Sequence, residues 1–156
     1  MKYINPIFSK RNNDSSEKTV KATSSKATRK TRSDKTHDIK FVTTQILHMK
    51  LQTLCKQATR LYKPHTNERL TQTKFNTMLL RYGLNHQHII NWSADYTDKQ
   101  GYMHVRPLEE SEYTELAGPY GLSIRHRLSE RRTVYCIVYS VVLWLERGGS
   151  LEEIVQ

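Results

Sequence analysis

Two short stretches of the chain have the two-residue period of a β-strand, in which successive side chains point to opposite faces. The first is residues 38–44, and the second is residues 102–106. One face of these strands is predicted to carry Ile39, Phe41 and Thr43 in the first, and Met103 and Val105 in the second. The opposite face is predicted to carry Lys40, Val42 and Thr44 in the first, and Tyr102, His104 and Arg106 in the second.

After the first strand the spacing of apolar residues changes to that of a helix. Steps of 4, 3, 4 and 3 place five residues on one helical face, namely Leu47, Leu51, Leu54, Ala58 and Leu61. A second helix is predicted in "LTQTKFNTMLLRYGL", with Thr71 or Thr73 as its N-cap and Gly83 as its end. Its apolar face is predicted to hold Phe75, Met78, Leu79 and Tyr82.

The second strand is followed by a similar order of elements. Pro107 suits the first turn of a helix, and the glutamates at 109, 110 and 112 complement the positive end of its dipole. "GPYG" at 118–121 ends this helix, whose apolar face holds Tyr113, Leu116 and Ala117. A longer apolar helix follows in "LSERRTVYCIVYSVVLWLERGG", with Ser129 as its N-cap and the two glycines at 148–149 as its end.

The chain therefore reads as two strand–helix–helix units, at 38–84 and 101–149, joined by a connector at 85–100. Leu51 and Leu54 align with Tyr113 and Leu116, and Phe75 and Met78 align with Val134 and Ile137, which gives offsets of 62 and 59. Residue identity between the units is low, so the repeat rests on the pattern. In residues 150–156, Ser150 and Glu153 have capping-box spacing and predict one helical turn.

Charge is concentrated before the first strand. The chain has a formal net charge of +10, and residues 1–37 hold ten Lys and Arg residues against three acidic ones. This segment has few apolar residues between 9 and 37, so we expect a disordered basic arm. Such a surplus predicts a polyanionic partner, which is a nucleic acid or an acidic membrane surface.

Other sites and locations are less favoured by the sequence. Cys55 and Cys136 lie in apolar helical patterns and are interpreted as buried, reduced thiols. His86 and His88 lack a third metal ligand nearby, so we expect no metal and no cofactor. The amino-terminal residues lack the apolar core of a signal peptide, and "VYCIVYSVVLWL" is shorter than a membrane span. We therefore expect a soluble, cytoplasmic protein.

One strand–helix–helix unit leaves strand edges unpaired and an apolar helix face open. Two units remove both defects if their strands pair antiparallel and their helices interlock. This arrangement resembles the ribbon-helix-helix family of DNA-binding proteins, with two copies in one chain, as in the TraY type of relaxosome accessory protein. The resemblance implies a mainly α fold with a two-stranded antiparallel ribbon, in which the two units form an intramolecular pseudo-dimer.

The resemblance also implies how the protein contacts DNA. A two-stranded ribbon fits the major groove, where base edges present a distinctive pattern of donors and acceptors. The expected base-contacting residues are those of the outer strand faces: Lys40, Val42, Thr44, Tyr102, His104 and Arg106. The expected phosphate-contacting residues lie at the start of each second helix: Thr71, Thr73, Lys74, Ser129, Arg131 and Arg132. Alternatively, the first set is a solvated ribbon face and the second set consists of ordinary caps with nearby charges.

The leading functional interpretation is a sequence-specific double-stranded DNA-binding protein without catalytic residues. Within that class, it is a plasmid or mobile-element relaxosome accessory protein that acts with a relaxase, or a transcriptional repressor or autoregulator. Several chains are expected to be able to associate cooperatively on longer DNA. A small nuclease is less favoured because the seven histidines are scattered without paired acids, and a membrane-surface protein is the remaining alternative.

Overall fold

The computed structural model describes residues 37–62, 68–96, 101–106 and 109–156. The predicted basic arm, apart from His37, and Pro107 lie outside these residues. The described residues belong to one compact unit, 32–156. Its elements are β1 (Ile39–Val42), α1 (Gln45–Leu61), α2 (Gln72–Asn85), a short 3₁₀ helix (Gln87–Ile89), β2 (Tyr102–Val105), α3 (Glu110–Ala117), α4 (Leu122–Arg125), α5 (Glu130–Glu146) and α6 (Leu151–Val155).

The two strands pair antiparallel and form a two-stranded ribbon. Ile39 lies opposite Val105, and Lys40 lies opposite His104. The inner face of the ribbon contributes buried apolar side chains to the core, among them Phe41 and Val105. The prediction of a mainly α protein with a two-stranded antiparallel ribbon is therefore confirmed.

Helices α2 and α5 pack on one another and form the centre of the core. Each strand packs on the second long helix of the other unit, β1 on α5 and β2 on α2. Gly83 was predicted to end α2, but α2 continues to Asn85 and Gly83 is buried. A Cβ atom at position 83 would lie 2.3 Å from Ile137 Cγ2 and 3.2 Å from Val141 Cγ2. The glycine therefore permits the close approach of α5, which the sequence of α2 by itself does not reveal.

The starts of the two long helices correspond closely. Thr71 is the N-cap of α2 and accepts from the Lys74 N–H, and Ser129 is the N-cap of α5 and accepts from the Arg132 N–H. The two caps are 58 positions apart, and the same offset superposes every buried residue of α2 on a buried residue of α5. The predicted offset of 59 is one residue too large, because both helices are apolar over more than one face and tolerate either register.

The first helix of the first unit agrees with the prediction except at its end, whereas the first helix of the second unit is shorter than predicted. Leu47, Leu51 and Ala58 are buried as expected, but Leu61 is exposed at the end of α1. In the second unit, α3 spans only Glu110–Ala117, and an additional short helix, α4, precedes α5. The turn at 118–121 ends α3 as predicted.

The connector and the carboxy-terminal turn both complete the core. In the connector, Ile90 and Ala94 are buried, and the Asn91 N–H donates to Ser140 Oγ at 2.8 Å. At the carboxy-terminal end, α6 packs on α1 and α2 and buries Ile154 and Val155. The predicted side-chain capping bond of Ser150 is not formed. Glu153 accepts a hydrogen bond from the Tyr82 hydroxyl.

Both cysteines are free and buried, as predicted. Burial raises the pKa of the Cys55 thiol, partly offset by a hydrogen bond with Thr59. Burial also raises the pKa of the Cys136 thiol, against the smaller opposing effect of the nearby Arg132 guanidinium. In the described part of the chain, no helix is both long and apolar enough to cross a lipid bilayer.

Candidate nucleic-acid interface

The outer face of the ribbon presents a polar and cationic surface. Lys40, Tyr102, His104 and Arg106 are all exposed. Lys40 Nζ lies 3.9 Å from the centroid of the Tyr102 ring, a cation–π distance that orients the ammonium group along the ribbon. Because Lys40 is directly opposite His104, these side chains form one continuous surface across both strands. This surface, made of Lys40, Tyr102, His104 and Arg106, is called the ribbon face below.

One acidic group lies beside the ribbon face. Asp38 Oδ1 is 3.5 Å from His104 Nδ1, and both side chains are partly exposed. The Asp38 carboxylate can therefore hold the imidazole in one orientation. A carboxylate near this surface disfavours close approach of a phosphate, whereas a base edge with a free amino group could approach it.

Val42 and Thr44 do not belong to the ribbon face, contrary to the prediction. Val42 is only 3% exposed, and the Tyr96 hydroxyl lies 3.4 Å from its N–H. The connector therefore reaches this end of β1 and removes Val42 from solvent. Thr44 is the N-cap of α1, and its hydroxyl accepts from the Leu47 N–H. The two-residue period ends at this point because the backbone turns from the strand into the helix.

Backbone groups on the outer edge of β2 and just after it form hydrogen bonds with polar side chains of α2. Asn76 Nδ2 donates to the His104 carbonyl at 3.2 Å, and Thr77 Oγ1 accepts from the Arg106 N–H at 2.9 Å. Thr77 also donates to the Thr73 carbonyl, which ties the first turn of α2 to the end of β2. These contacts hold the carboxy-terminal end of the ribbon face beside the amino end of α2. The sequence signal was two polar residues, Asn76 and Thr77, within an otherwise apolar helical face.

Replacing Asn76 by alanine is expected to lower the free energy of unfolding by about 1–3 kcal/mol, because the His104 carbonyl then loses its donor from α2 and the Gln72 amide loses its acceptor. Urea unfolding measures this change. Asn85→Ala, at the exposed end of the same helix, is the matched control and is expected to change stability by less than about 0.5 kcal/mol. Equal effects of the two substitutions would show that the bond to the ribbon contributes little.

The predicted phosphate-contacting residues of the first unit surround the amino end of α2. Thr71 is exposed, while Thr73 and Lys74 are half-buried. Lys74 Nζ lies 3.2 Å from Glu68 Oε2 and above the Tyr62 ring. Hydrogen bonding to Tyr62, and then to Glu68, raises the pKa of Lys74, so the ammonium group is charged at neutral pH.

The predicted phosphate-contacting residues of the second unit divide into two groups. Ser129 and Arg131 are exposed at the amino end of α5. Arg132 is half-buried, and its guanidinium lies near the Cys136 thiol. Its Nε atom has no hydrogen-bond partner among the described residues. Arg131 is therefore better placed than Arg132 to meet a phosphate, although the prediction grouped them.

His37, two positions before β1, contacts the second unit. The ring of His37 stacks on Tyr113 with centroids 3.5 Å apart, and its Nε2 atom lies 3.1 Å from Glu110 Oε2. The predicted arm therefore includes at its end a residue that packs on α3.

His86 stacks on Tyr82 rather than pointing outward, and the described residues contain no group of three or more His, Cys, Asp or Glu suited to a metal.

Comparison with known proteins identifies no relative. No protein-family model, curated protein or solved structure matches the chain.

Proposed function

We propose that the protein binds double-stranded DNA sequence-specifically and inserts the ribbon face into the major groove. The observation that carries this proposal is the ribbon itself: a paired, two-stranded element with Lys40, Tyr102, His104 and Arg106 exposed on one face. Lysine and arginine donate to guanine, and histidine and tyrosine can also donate to base edges. The contact of Thr77 with the end of β2 sets the amino end of α2 beside this surface, where free N–H groups favour a phosphate.

The architecture that supports this function is a pair of ribbon-helix-helix units in one chain, forming an intramolecular pseudo-dimer. Support comes from the reciprocal packing of each strand on the other unit's long helix and from the equivalent caps Thr71 and Ser129. The two halves of the ribbon face differ, because Lys40 comes from one strand and Tyr102, His104 and Arg106 from or just after the other. A folded monomer of 18.4 kDa should therefore read a non-palindromic site.

The test is selection of bound duplexes from a random pool, combined with sedimentation equilibrium of the free protein at low concentration. A recurring, non-palindromic sequence and a folded monomer are expected. A pool with no enrichment would refute sequence-specific binding. A palindromic site together with an obligate dimer would refute the intramolecular pairing but leave DNA binding intact.

For the biological role, we propose a relaxosome accessory protein of a plasmid or other mobile element, acting in the cytoplasm with a relaxase. This role rests on the resemblance to fused ribbon-helix-helix proteins, and transcriptional repression or autoregulation is the alternative. The position of the selected sequence in the source DNA separates the two. A site beside a transfer origin supports the first role, whereas a site within a promoter supports the second.

Removing residues 1–36 is expected to weaken binding to all duplexes alike. The segment carries most of the chain's excess positive charge, so its removal should reduce the slope of log K against log salt by about 0.9 for each phosphate that is no longer neutralised. Filter binding at several salt concentrations measures the slope. A full-length variant whose Lys and Arg residues in this segment are replaced by serine should behave like the deletion. An unchanged slope in both would show that the segment does not touch DNA.

A further inference from the structure

The outer side of α1 is a cationic stripe with exposed apolar residues at its beginning. Ile46 and Met49 are 69% and 60% exposed, and Lys56 and Arg60 continue the same helical face. The helix contains three Lys and Arg residues and no acidic residue. Lys50 pairs with Glu146, but no described carboxylate lies within ion-pair distance of Lys56 or Arg60. Part of this face is therefore apolar, and its charges are uncompensated.

The corresponding helix of the second unit, α3, has the opposite charge. It contains three glutamates and no basic residue. Glu112 is engaged with Arg81, while Glu110 and Glu115 lie on the exposed side of the helix. Next to them Tyr120 is 88% exposed and borders an open cleft of about 680 Å³.

Neighbouring groups only partly compensate this acidic face. Glu110 contacts His37, and Glu115 accepts a hydrogen bond from the Gln87 amide at 2.8 Å. The Arg125 side chain also borders the cleft, so the face is not uniformly acidic. The outer face of α3 nevertheless presents two glutamates, Glu110 and Glu115, against the two cations Lys56 and Arg60 on the outer face of α1.

We propose that copies of this chain associate head to tail, with the outer face of α1 on one copy packed against the outer face of α3 on the next. Two α1 faces or two α3 faces would place like charges together, whereas the mixed contact is complementary. Within the described residues α1 and α3 share no packed interface, so one copy can offer both faces to different neighbours. The contact is heterologous and can extend into a row rather than closing as a symmetric dimer.

Apolar groups strengthen the same pairing. Ile46 and Met49 lie at the start of the α1 stripe, and Tyr120 with its cleft lies beside the α3 glutamates. Each face thus combines an apolar part with a charged part. Burial of the apolar groups supplies an attraction that salt does not screen, while the charges set which face meets which.

The contact is a property of the protein alone, but its use on DNA rests on the proposed function. If the ribbon enters the major groove, head-to-tail contacts would place successive chains in the same direction and favour direct repeats. Free-solution association and binding to duplex DNA are therefore measured separately. Failure to bind any duplex would remove the DNA function without deciding the protein contact.

The contact is tested by charge reversal in the full chain. One variant carries Lys56→Glu and Arg60→Glu, and another carries Glu110→Lys and Glu115→Lys. Sedimentation velocity over a range of concentrations at low salt is expected to show that the wild type associates. The association constant is expected to be about tenfold lower in either variant. Mixing the two variants, or combining all four substitutions in one chain, is expected to restore association because opposite charges again meet.

Two controls reverse exposed charges outside these faces. Arg147→Glu and Glu152→Lys are expected to leave association unchanged, and circular dichroism should show that every variant is folded. Two results together would overturn the proposal. The wild type would remain monomeric at all concentrations, and two protein chains would bind a duplex with two adjacent sites no more tightly than they bind two separate duplexes with one site each. Failure of both the mixture and the fourfold variant to regain association would also overturn it, even if another partner bound the α3 face.

Discussion

Gly83→Leu is expected to lower the free energy of unfolding by about 3 kcal/mol, because it inserts a side chain where α2 and α5 are in close contact. The added Cβ alone would overlap Ile137 Cγ2, a methyl group fixed next to the helix backbone. The helices must move apart, which also disturbs the strands packed on them. Urea unfolding followed by circular dichroism measures the change.

Asn85→Leu provides the control for this substitution. Position 85 is exposed near the end of the same helix, so a leucine there raises helix propensity without entering the core. Its stability is expected to lie within about 0.5 kcal/mol of the wild type. Removing the opposing methyl groups by Ile137→Ala should make the effect of Gly83→Ala smaller than in the wild-type background. Additive effects would show that these residues do not limit the helix separation.

Replacing Lys40 or Arg106 by alanine is expected to weaken binding to the selected DNA site by about 1–3 kcal/mol for each residue that makes a bidentate base contact. Both side chains are exposed on the ribbon face, and neither contributes apolar area to the core. Binding to unrelated duplexes should change much less, so the ratio of specific to unrelated binding should fall in the variants. Competition binding with selected and unrelated duplexes measures the two effects.

Arg147→Ala is the matched control for the ribbon variants. Arg147 is an exposed cation at the far end of α5, roughly 25 Å along the helix from its cap Ser129. Its removal should leave the ratio of specific to unrelated binding unchanged. If Lys40→Ala and Arg106→Ala also leave this ratio unchanged while retaining the fold, the ribbon face does not read the sequence.

Local patterns in the sequence were sufficient to predict the strands and the beginnings of the long helices. The alternation around Phe41 and Met103 reflects burial of one strand face, and both residues are buried. Ser129 was predicted as a cap, and Thr71 as one of two candidates with Thr73, because a hydroxyl before an apolar helical run satisfies the first free N–H groups. Such features depend on residues that are close in the chain.

Features that depend on distant residues could not be predicted in this way. Val42 has the spacing of a solvent-facing strand residue, but Tyr96 reaches it from 54 positions away. Gly83 resembles a helix end until α5 is placed against it. The short length of α3 and the presence of α4 likewise depend on how residues 110–125 fit against the core, and the glycine and proline at 118–119 alone do not determine them.

The candidate interface was predicted only in part for the same reason. Four of the six expected base-contacting residues are exposed together, while Val42 is buried and Thr44 caps a helix. Asn76 and Thr77 were missed as supports of the ribbon because their role appears only when β2 is placed beside α2. Whether the exposed residues contact DNA stays a prediction.

The pairing of Lys40 with His104 joins positions that are 64 residues apart. During synthesis, β1 leaves the ribosome well before β2, and at about 5–20 residues per second it waits several seconds for its partner. In that interval Ile39 and Phe41 have no second strand to complete their surroundings. Once β2 has emerged, the partner is tethered to the same polypeptide, so the rate of pairing does not depend on how many copies the cell contains. A ribbon assembled from two separate chains would form slowly when copies are few, and this chain avoids that delay.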